Sequence, residues 1–325
     1  MKRWRYHITF VFALFWQALH LQGQSADLDT NFVRRYEKSN MIEVFTGLTS
    51  LQFNFAKNQT DKSDFRLTAN SSNYIGVDVS YKWLYLQATV NIPGTQLDKN
   101  VNFHYTSLKF KFGTRKLIFQ PFFNAYNGLL IPKLEHRSYE PFRNIHFVDV
   151  GLDMYYYTNA RQFSHRAASA FSEEQVRSKG TFFFTASPVW RRISWVTPSR
   201  DLVPDSATYQ LLSSNPKWVS LVLRGGYTYN IVPAKNWLIA PAIAAGGGAL
   251  YELTPGNKSI QAVYDVHAWI NTGYNGPRYY VYMNASWENL RTNFLIKKLR
   301  RVNSDISITF GYRFSNFKKK ILGIL

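Results

Sequence analysis

The sequence predicts an all-β chain that closes into an antiparallel transmembrane β-barrel of about 12 strands. Three observations predict it. Segment after segment alternates apolar and polar residues with period two, which gives a strand two unlike faces. Most segments run about 10 residues or more, the length a tilted strand needs to cross a bilayer, whereas strands of soluble sandwiches are nearer 5–6. The brief joins at Lys82-Trp83, Thr114-Arg115, Pro233-Ala234-Lys235 and Asn275-Gly276 follow even-numbered segments, as a barrel with both ends on one side of the membrane requires.

Residues 1–25 carry Lys2, Arg3 and Arg5, an apolar run from Ile8 to Leu21, and Gly23-Gln24-Ser25. A basic start, a short apolar stretch and small residues at the cleavage positions describe a secretory signal peptide. Residues 26–40 form a polar periplasmic lead-in, 41–317 the barrel, and 318–325 a basic C-terminal tail. The expected strands lie near 42–57, 73–82, 84–92, 101–113, 116–124, 145–157, 180–189, 217–229, 236–252, 259–273, 278–290 and 303–314. The last is the clearest: Ile306, Ile308, Phe310, Tyr312 and Phe314 share one face, and Asp305, Ser307, Thr309, Gly311 and Arg313 the other. Rings such as Trp83, Tyr156, Tyr157, Trp190, Trp218, Trp237, Tyr251 and Tyr279 gather toward segment ends, where interfacial girdles sit. The longest odd-numbered joins, Ala125–Asn144 and Arg191–Pro216, read as external loops. Thr158–Lys179 is long on the side where turns are otherwise short.

Composition narrows the functional classes. Aromatic residues make up 17% of the chain, too many for a disordered segment. Cysteine is absent, which excludes disulfides, thiolate metal sites, cysteine nucleophiles and a lipoprotein anchor. Past residue 25 no apolar run is long enough for a helical span. Removing the signal leaves 36 basic and 20 acidic residues, a net charge of +16 that points to an anionic surface. Export removes nucleic acid as a partner, so the expected partners are the bacterial outer membrane with its anionic lipid, and the barrel-assembly machinery during biogenesis.

The polar faces place Asp78, Lys82, Lys109, Lys111, Asp149, Asp153, Arg224, Asp265, Glu288, Asp305 and Arg313 in the lumen. Signs nearly balance there, which suits charges that hold one another, because a lone buried charge is costly. The excess cations then fall in loops and tail, and Lys133, Arg137, Arg191, Arg192, Lys297, Lys298, Arg300 and Arg301 are the candidates for contact with lipid phosphate. One constellation supports an enzyme. If Asn275-Gly276 is a two-residue turn, Asp265 faces Ser286 and His267 faces Asn284, so Ser286, His267 and Asp265 become neighbours of the kind ester hydrolysis uses. A histidine and an aspartate side by side on one strand face do not form an in-line relay easily, so the residues favour a non-catalytic barrel. No motif implies a cofactor, and no metal-ligand cluster appears.

The segment Asn159-Ala-Arg-Gln-Phe163-Ser164-His-Arg166-Ala167-Ala168, followed by Gln175 and Ser178-Lys-Gly180-Thr-Phe, resembles a family of Bacteroidota outer-membrane barrels, the domain of unknown function 4421. The chain departs from that pattern at His165, Lys179 and Thr181, and runs eleven residues past Phe314. The resemblance implies the barrel fold and carries no known reaction. The function read from the sequence is therefore a porin-like narrow solute pore or an envelope component with basic loops meeting anionic lipid. The alternatives are an outer-membrane esterase or lipase-like hydrolase, and a surface binding module that uses the long loops.

Overall fold

A computed structural model of the chain describes residues 28–38, 40–56, 63–70, 73–81, 84–99, 101, 104–133, 138–254 and 259–315. The expected signal peptide, the basic tail, Lys82, Trp83 and Arg137 lie outside them. The wall is built from β2 (Asn40–Ala56), β3 (Ser63–Ala69), β8 (Leu117–Lys133), β9 (Ser138–Tyr157), β11 (Lys179–Trp195), β12 (Lys217–Asn230), β13 (Trp237–Glu252), β14 (Ile260–Asn275), β15 (Tyr279–Asn293) and β16 (Lys298–Phe314). Each pairs antiparallel with the next, and β16 returns to β2 from Lys298↔Ala56 to Phe314↔Asn40, which closes a ring of ten. Four further strands complete one side. β4 (Asn73–Tyr81) takes the half of β2 nearer the termini and pairs β5 (Leu84–Asn91), while β6 (His104–Lys109) and β7 (Phe112–Gly113) pair β8.

The expected count of twelve is thus replaced by a closed ring of ten with four extra strands. β3 was not expected. Its run Ser63–Ala69 is short, and it takes over the edge of β2 from β4 where Gln52 pairs Thr68. The expected loop Ala125–Asn144 is mostly ladder, with Lys133 paired to Ser138. The alternation breaks there because the register shifts between Asn127 and Leu129, where Gly128 and Asn144 both take positive φ. The bulge lets Phe142 and Ile145 both turn inward despite their odd spacing.

The wall changes its chemistry along its height. Near the termini the outward residues are apolar, with Ile42, Val44 and Leu48 on β2, Tyr227 and Tyr229 on β12, and Ile306, Ile308 and Phe310 on β16 all exposed, and on β12 the apolar run continues through Leu223 and Leu221 to Val219 near the far end. A monomeric soluble protein rarely leaves so continuous an apolar band bare. Farther along the same strands the pattern inverts. Gln52, Asn54 and Arg300 point out, while Phe53, Phe55 and Leu299 point in and are buried. There the interior is an apolar core that includes Leu67, Leu129, Phe142, Trp195, Trp218 and Phe294. Two expected girdle rings, Tyr157 and Trp218, turn inward and are buried.

At that far end the loop between β11 and β12 covers the core with a helix, Ser206–Ser213, burying Thr208, Leu211 and Leu212. Asp205 caps it, its carboxylate accepting from the Thr208 amide at 2.7 Å and the Thr208 hydroxyl at 2.6 Å. The same carboxylate lies 3.0 Å from Lys297 Nζ, which is fully buried and also 2.5 Å from Asp64. Burial raises the Asp205 carboxyl, but the Thr208 bonds and the Lys297 ammonium outweigh it and hold it at about 2. Its contribution is therefore complete above its ordinary value of 3.8 and lost as pH falls through about 2. Asp205→Ala is expected to destabilise this end by roughly 1–3 kcal/mol, from the lost cap and the weakened lysine pairing. Hydrogen exchange of the helix amides, followed against pH, measures it.

Candidate functional site

The segment after β9 explains the long join at Thr158–Lys179. It folds back into the mouth at the termini end as a short helix α1 (His165–Ala170) and a strand β10 (Glu173–Gln175), which pairs β1 (Val33–Arg35) of the lead-in. Ser164 caps α1, accepting from the Ala167 amide at 2.9 Å and donating to Glu173 at 2.7 Å. Ala167 and Ala168 are buried because nothing larger fits against the wall, and Phe163 and Phe171 join the same apolar cluster. Gln175 accepts from the Ser164 amide at 2.9 Å and from Asn230 of the wall at 2.9 Å, and donates to the carbonyls of Phe32, Gln162 and Arg177. Ser178 accepts from the Val232 amide, and Gly180 is the second residue of β11. Every residue of the family-like segment is thus part of this plug or its seam with the wall, including Arg166, whose exposed guanidinium lies 3.9 Å from Glu173.

Where the pattern departs, His165 keeps the packing of a ring. It lies against Tyr157 with centroids 5.0 Å apart, and its Nδ1 is 2.8 Å from the Tyr157 hydroxyl. Burial, with Lys111 and Arg166 beside it, holds the imidazole well below its ordinary pKa and therefore neutral.

Two arginine latches hold the plug. Arg115 of the turn before β8 reaches Glu173 at 2.5 Å. Arg313 of β16 is fully buried and donates to the carbonyls of Gly276 and Phe171 and to Asn275 Oδ1, the last at 2.6 Å. Its guanidinium lies between the rings of Tyr36 and Tyr280, 3.9 and 4.1 Å from their centroids. The Tyr280 hydroxyl in turn donates to Glu43 at 2.6 Å.

Above the plug the lumen is crossed from wall to wall. Phe183 of β11 meets Trp269 of β14 at 5.7 Å, an approach that depends on Gly226, where a Cβ would lie 2.4 Å from the Phe183 ring. Arg301 of β16 reaches Asp149 of β9 at 2.5 Å across the barrel and Glu288 beside it at 3.0 Å, and Asp149 also holds Arg191 at 3.5 Å. Phe53 of β2 stacks on Phe147 of β9 at 4.0 Å. Arg224 pairs Asp265 and donates to Ser187 at 2.8 Å, which donates to Asp153. Asp305 accepts from Tyr74 at 2.8 Å, and Lys111 lies 3.4 Å from Ser169 of the plug. Asp78 sits opposite Glu43 in the ladder, and Lys109 lines the inner face of β6.

Several expected sites move. Arg191 and Arg301 were expected at lipid phosphate but face the lumen in ion pairs, as the alternation of inward Val189, Ile193, Leu299 and Asn303 around them dictates. Lys297 is buried between Asp64 and Asp205 rather than outside. Lys133 pairs Glu140 at 3.2 Å, while Arg192, Lys298 and Arg300 remain on outward or partly exposed positions. The hydrolase constellation is separated. Asp265 pairs Leu290, His267 pairs Glu288 and Ser286 pairs Trp269, four residues out of the expected register. Pro277 lacks the N–H that a two-residue turn would place in the ladder, so the chain turns over Gly276–Arg278 instead. Glu43 is a luminal acid that its own alternation with outward Ile42 and Val44 could have revealed. Among the described residues no three His, Asp or Glu side chains are placed to hold a metal ion.

Among solved structures the chain is similar to the β domain of the Bordetella autotransporter BrkA, at 12% identity and a TM-score of 0.41 over 85% of this chain and 99% of that one. It is similar also to an outer membrane channel from Pseudomonas putida F1, at 10% identity and 0.38 over 89% and 100%. The outer membrane protease OmpT from Escherichia coli follows at 8% identity and 0.33 over 86% and 98%. Likeness this distant transfers no activity. No curated relative matches the chain. A family model does match, over residues 27–314, from the plug's lead-in strand to the end of β16, and the chain therefore belongs to the family described as domain of unknown function DUF4421.

Proposed function

We propose that this protein is an integral outer-membrane β-barrel of the bacterial envelope, sealed and non-catalytic, whose role lies in the membrane and at its outer rim. The supporting observation is the interior. Three levels of wall-to-wall contact, Phe183 with Trp269, Arg301 with Asp149 and Phe53 with Phe147, stand above a plug latched by Arg115 and Arg313. A conducting porin keeps a water-filled lumen, whereas these ionisable groups are joined to one another across it. The exposed apolar band and the closed antiparallel barrel support the membrane, and the signal peptide read in residues 1–25 supports export.

The reaction classes fall behind for a physical reason. Ser286, His267 and Asp265 sit at different ladder positions, and Asp265 is engaged by Arg224, so no preorganised nucleophile and base exist in that trio. Recovery in the outer-membrane fraction with heat-modifiable gel migration is expected. Purified protein in a planar bilayer is expected to give no steady conductance, and a stable open current would replace the sealed reading with the pore.

A further inference from the structure

On the outer face one line of paired positions carries an unusual row. Tyr264 of β14 pairs Arg291 of β15, Arg291 pairs Arg300 of β16, Arg300 pairs Asn54 of β2, and Asn54 pairs Arg66 of β3. All five occupy outward positions, and Tyr264 and the three arginines are exposed. Like charges directly opposite one another on a sheet destabilise it. Arg291 and Arg300 stand so, about 5 Å apart, with Arg66 two strands beyond Arg300 at about 10 Å. Among the described residues none of the three is ion-paired: the acids of this end are taken, Asp64 by Lys297, Glu140 by Lys133 and Glu288 by Arg301. Two of the guanidiniums are nevertheless positioned. Arg300 Nε donates to Asn289 at 2.9 Å and Arg66 Nε to Asn54 at 2.8 Å.

Height fixes what such a row meets. The outward positions of β16 read Arg300, Val302, Ser304, Ile306, Ile308 and Phe310, so the arginines stand at the polar rim of the apolar band, on the side away from the termini. Three guanidiniums without an ion pair at that rim, those of Arg66 and Arg300 held by amide side chains, match anionic oxygens, and phosphate takes the planar fork of arginine bidentately. Tyr264 at the end of the row offers a ring to the glycan or acyl part of the same molecule.

We propose that Arg66, Arg291 and Arg300 form a docking row for the phosphate groups of a phosphorylated outer-leaflet glycolipid. The row rests on the membrane reading above and deepens it. Arg291 and Arg300 share one phosphate, whose charge relieves their mutual repulsion. Arg66, across Asn54, takes a second phosphate of the same lipid.

The test uses full-length protein in detergent, titrated with bis-phosphorylated lipid A, with the dephosphorylated lipid, and with inorganic phosphate. In R66Q/R291Q/R300Q, binding of lipid A is expected to weaken by about a hundredfold or more, because three charge-assisted contacts are lost. R278Q, an arginine exposed at the opposite rim, is expected to bind as the wild type does. The dephosphorylated lipid is expected to bind weakly and equally to all three proteins. Undiminished lipid A binding by the triple variant overturns the docking row. Displacement of lipid A by inorganic phosphate at equal concentration also overturns it, in favour of a free-anion site. All three substitutions lie on exposed positions, and membrane recovery with heat-modifiable migration is read in parallel. A wild-type protein absent from the membrane fraction defeats the membrane reading, whereas a membrane-inserted triple variant that still binds lipid A defeats the row alone.

Discussion

Phe310→Arg and Ile308→Arg are expected to abolish recovery of the folded barrel from the outer membrane, whereas Ser304→Arg is expected to assemble. All three positions lie on the outer face of β16. Phe310 and Ile308 are each 54% exposed within the apolar band, and a guanidinium placed there faces hydrocarbon with no partner. The cost is roughly 2–4 kcal/mol at mid-depth and about 0–1 kcal/mol near the interface. Ser304 sits at the upper edge of the band, opposite Trp287 in the ladder, where an arginine can rise toward water or lie on the indole. Thr309, on the inner face, is a poor site for the same substitution. It is 4% exposed and pairs Tyr282, which stacks on Phe171 of the plug, so an arginine there would have to displace packed rings. Heat-modifiable migration of each variant reads the outcome. Equal assembly of Phe310→Arg and Ser304→Arg would remove the hydrocarbon from the outer face.

The band was legible in the sequence because hydrocarbon imposes one rule on every strand that crosses it: apolar residues at alternate positions. Ile306, Ile308 and Phe310 obey it without exception, as do Val219, Leu221 and Leu223. The rule ends where the strand leaves the membrane. Beyond Gln52 the outward side is polar and the inward side apolar, so the same period persists with the faces exchanged. Phe53 and Phe55, on the inward parity of β2, fill the core there. The bulge at Gly128 and Asn144 broke the period altogether, which turned two strand halves into an expected loop. The plug was the least legible part. Its residues satisfy one another through backbone carbonyls and amides, as Gln175 does with Phe32, Gln162 and Arg177, and such bonds leave no periodic trace. Only the recurrence of Phe163, Ser164, Ala167, Ala168 and Gln175 in a known family marked the segment, without telling what it does. Arg191 and Arg301 read as loop residues because the expected strands ended near 189 and began near 303, whereas the ladders run on through both, and each alternates with inward neighbours.

Arg313→Ala is expected to release the plug without opening the barrel. The guanidinium is the meeting point of the turn before β15, the end of α1 and the lead-in, through Gly276 and Asn275, Phe171, and the ring of Tyr36. Alanine leaves these acceptors facing each other with no donor between them, and removes a cation held between two rings. Each buried acceptor left without its donor costs about 1–3 kcal/mol. That loss falls on the plug, because β16 keeps its ladder to β15 and β2 through backbone bonds that the side chain does not make. Amides of Phe163–Gln175 are then expected to exchange with solvent about a hundredfold faster or more, while those of the β15–β16 ladder keep their protection. Arg313→Lys is expected to fall between, since an ammonium restores the charge but lacks the fork that serves three acceptors at once. Conductance is expected to stay absent in both variants. The contacts of Arg301 with Asp149 and of Phe53 with Phe147 lie above the plug and do not depend on it. Faster exchange accompanied by ion flow would make the plug the gate of a pore. Unchanged exchange would mean that Arg115 and Glu173 carry the latch alone.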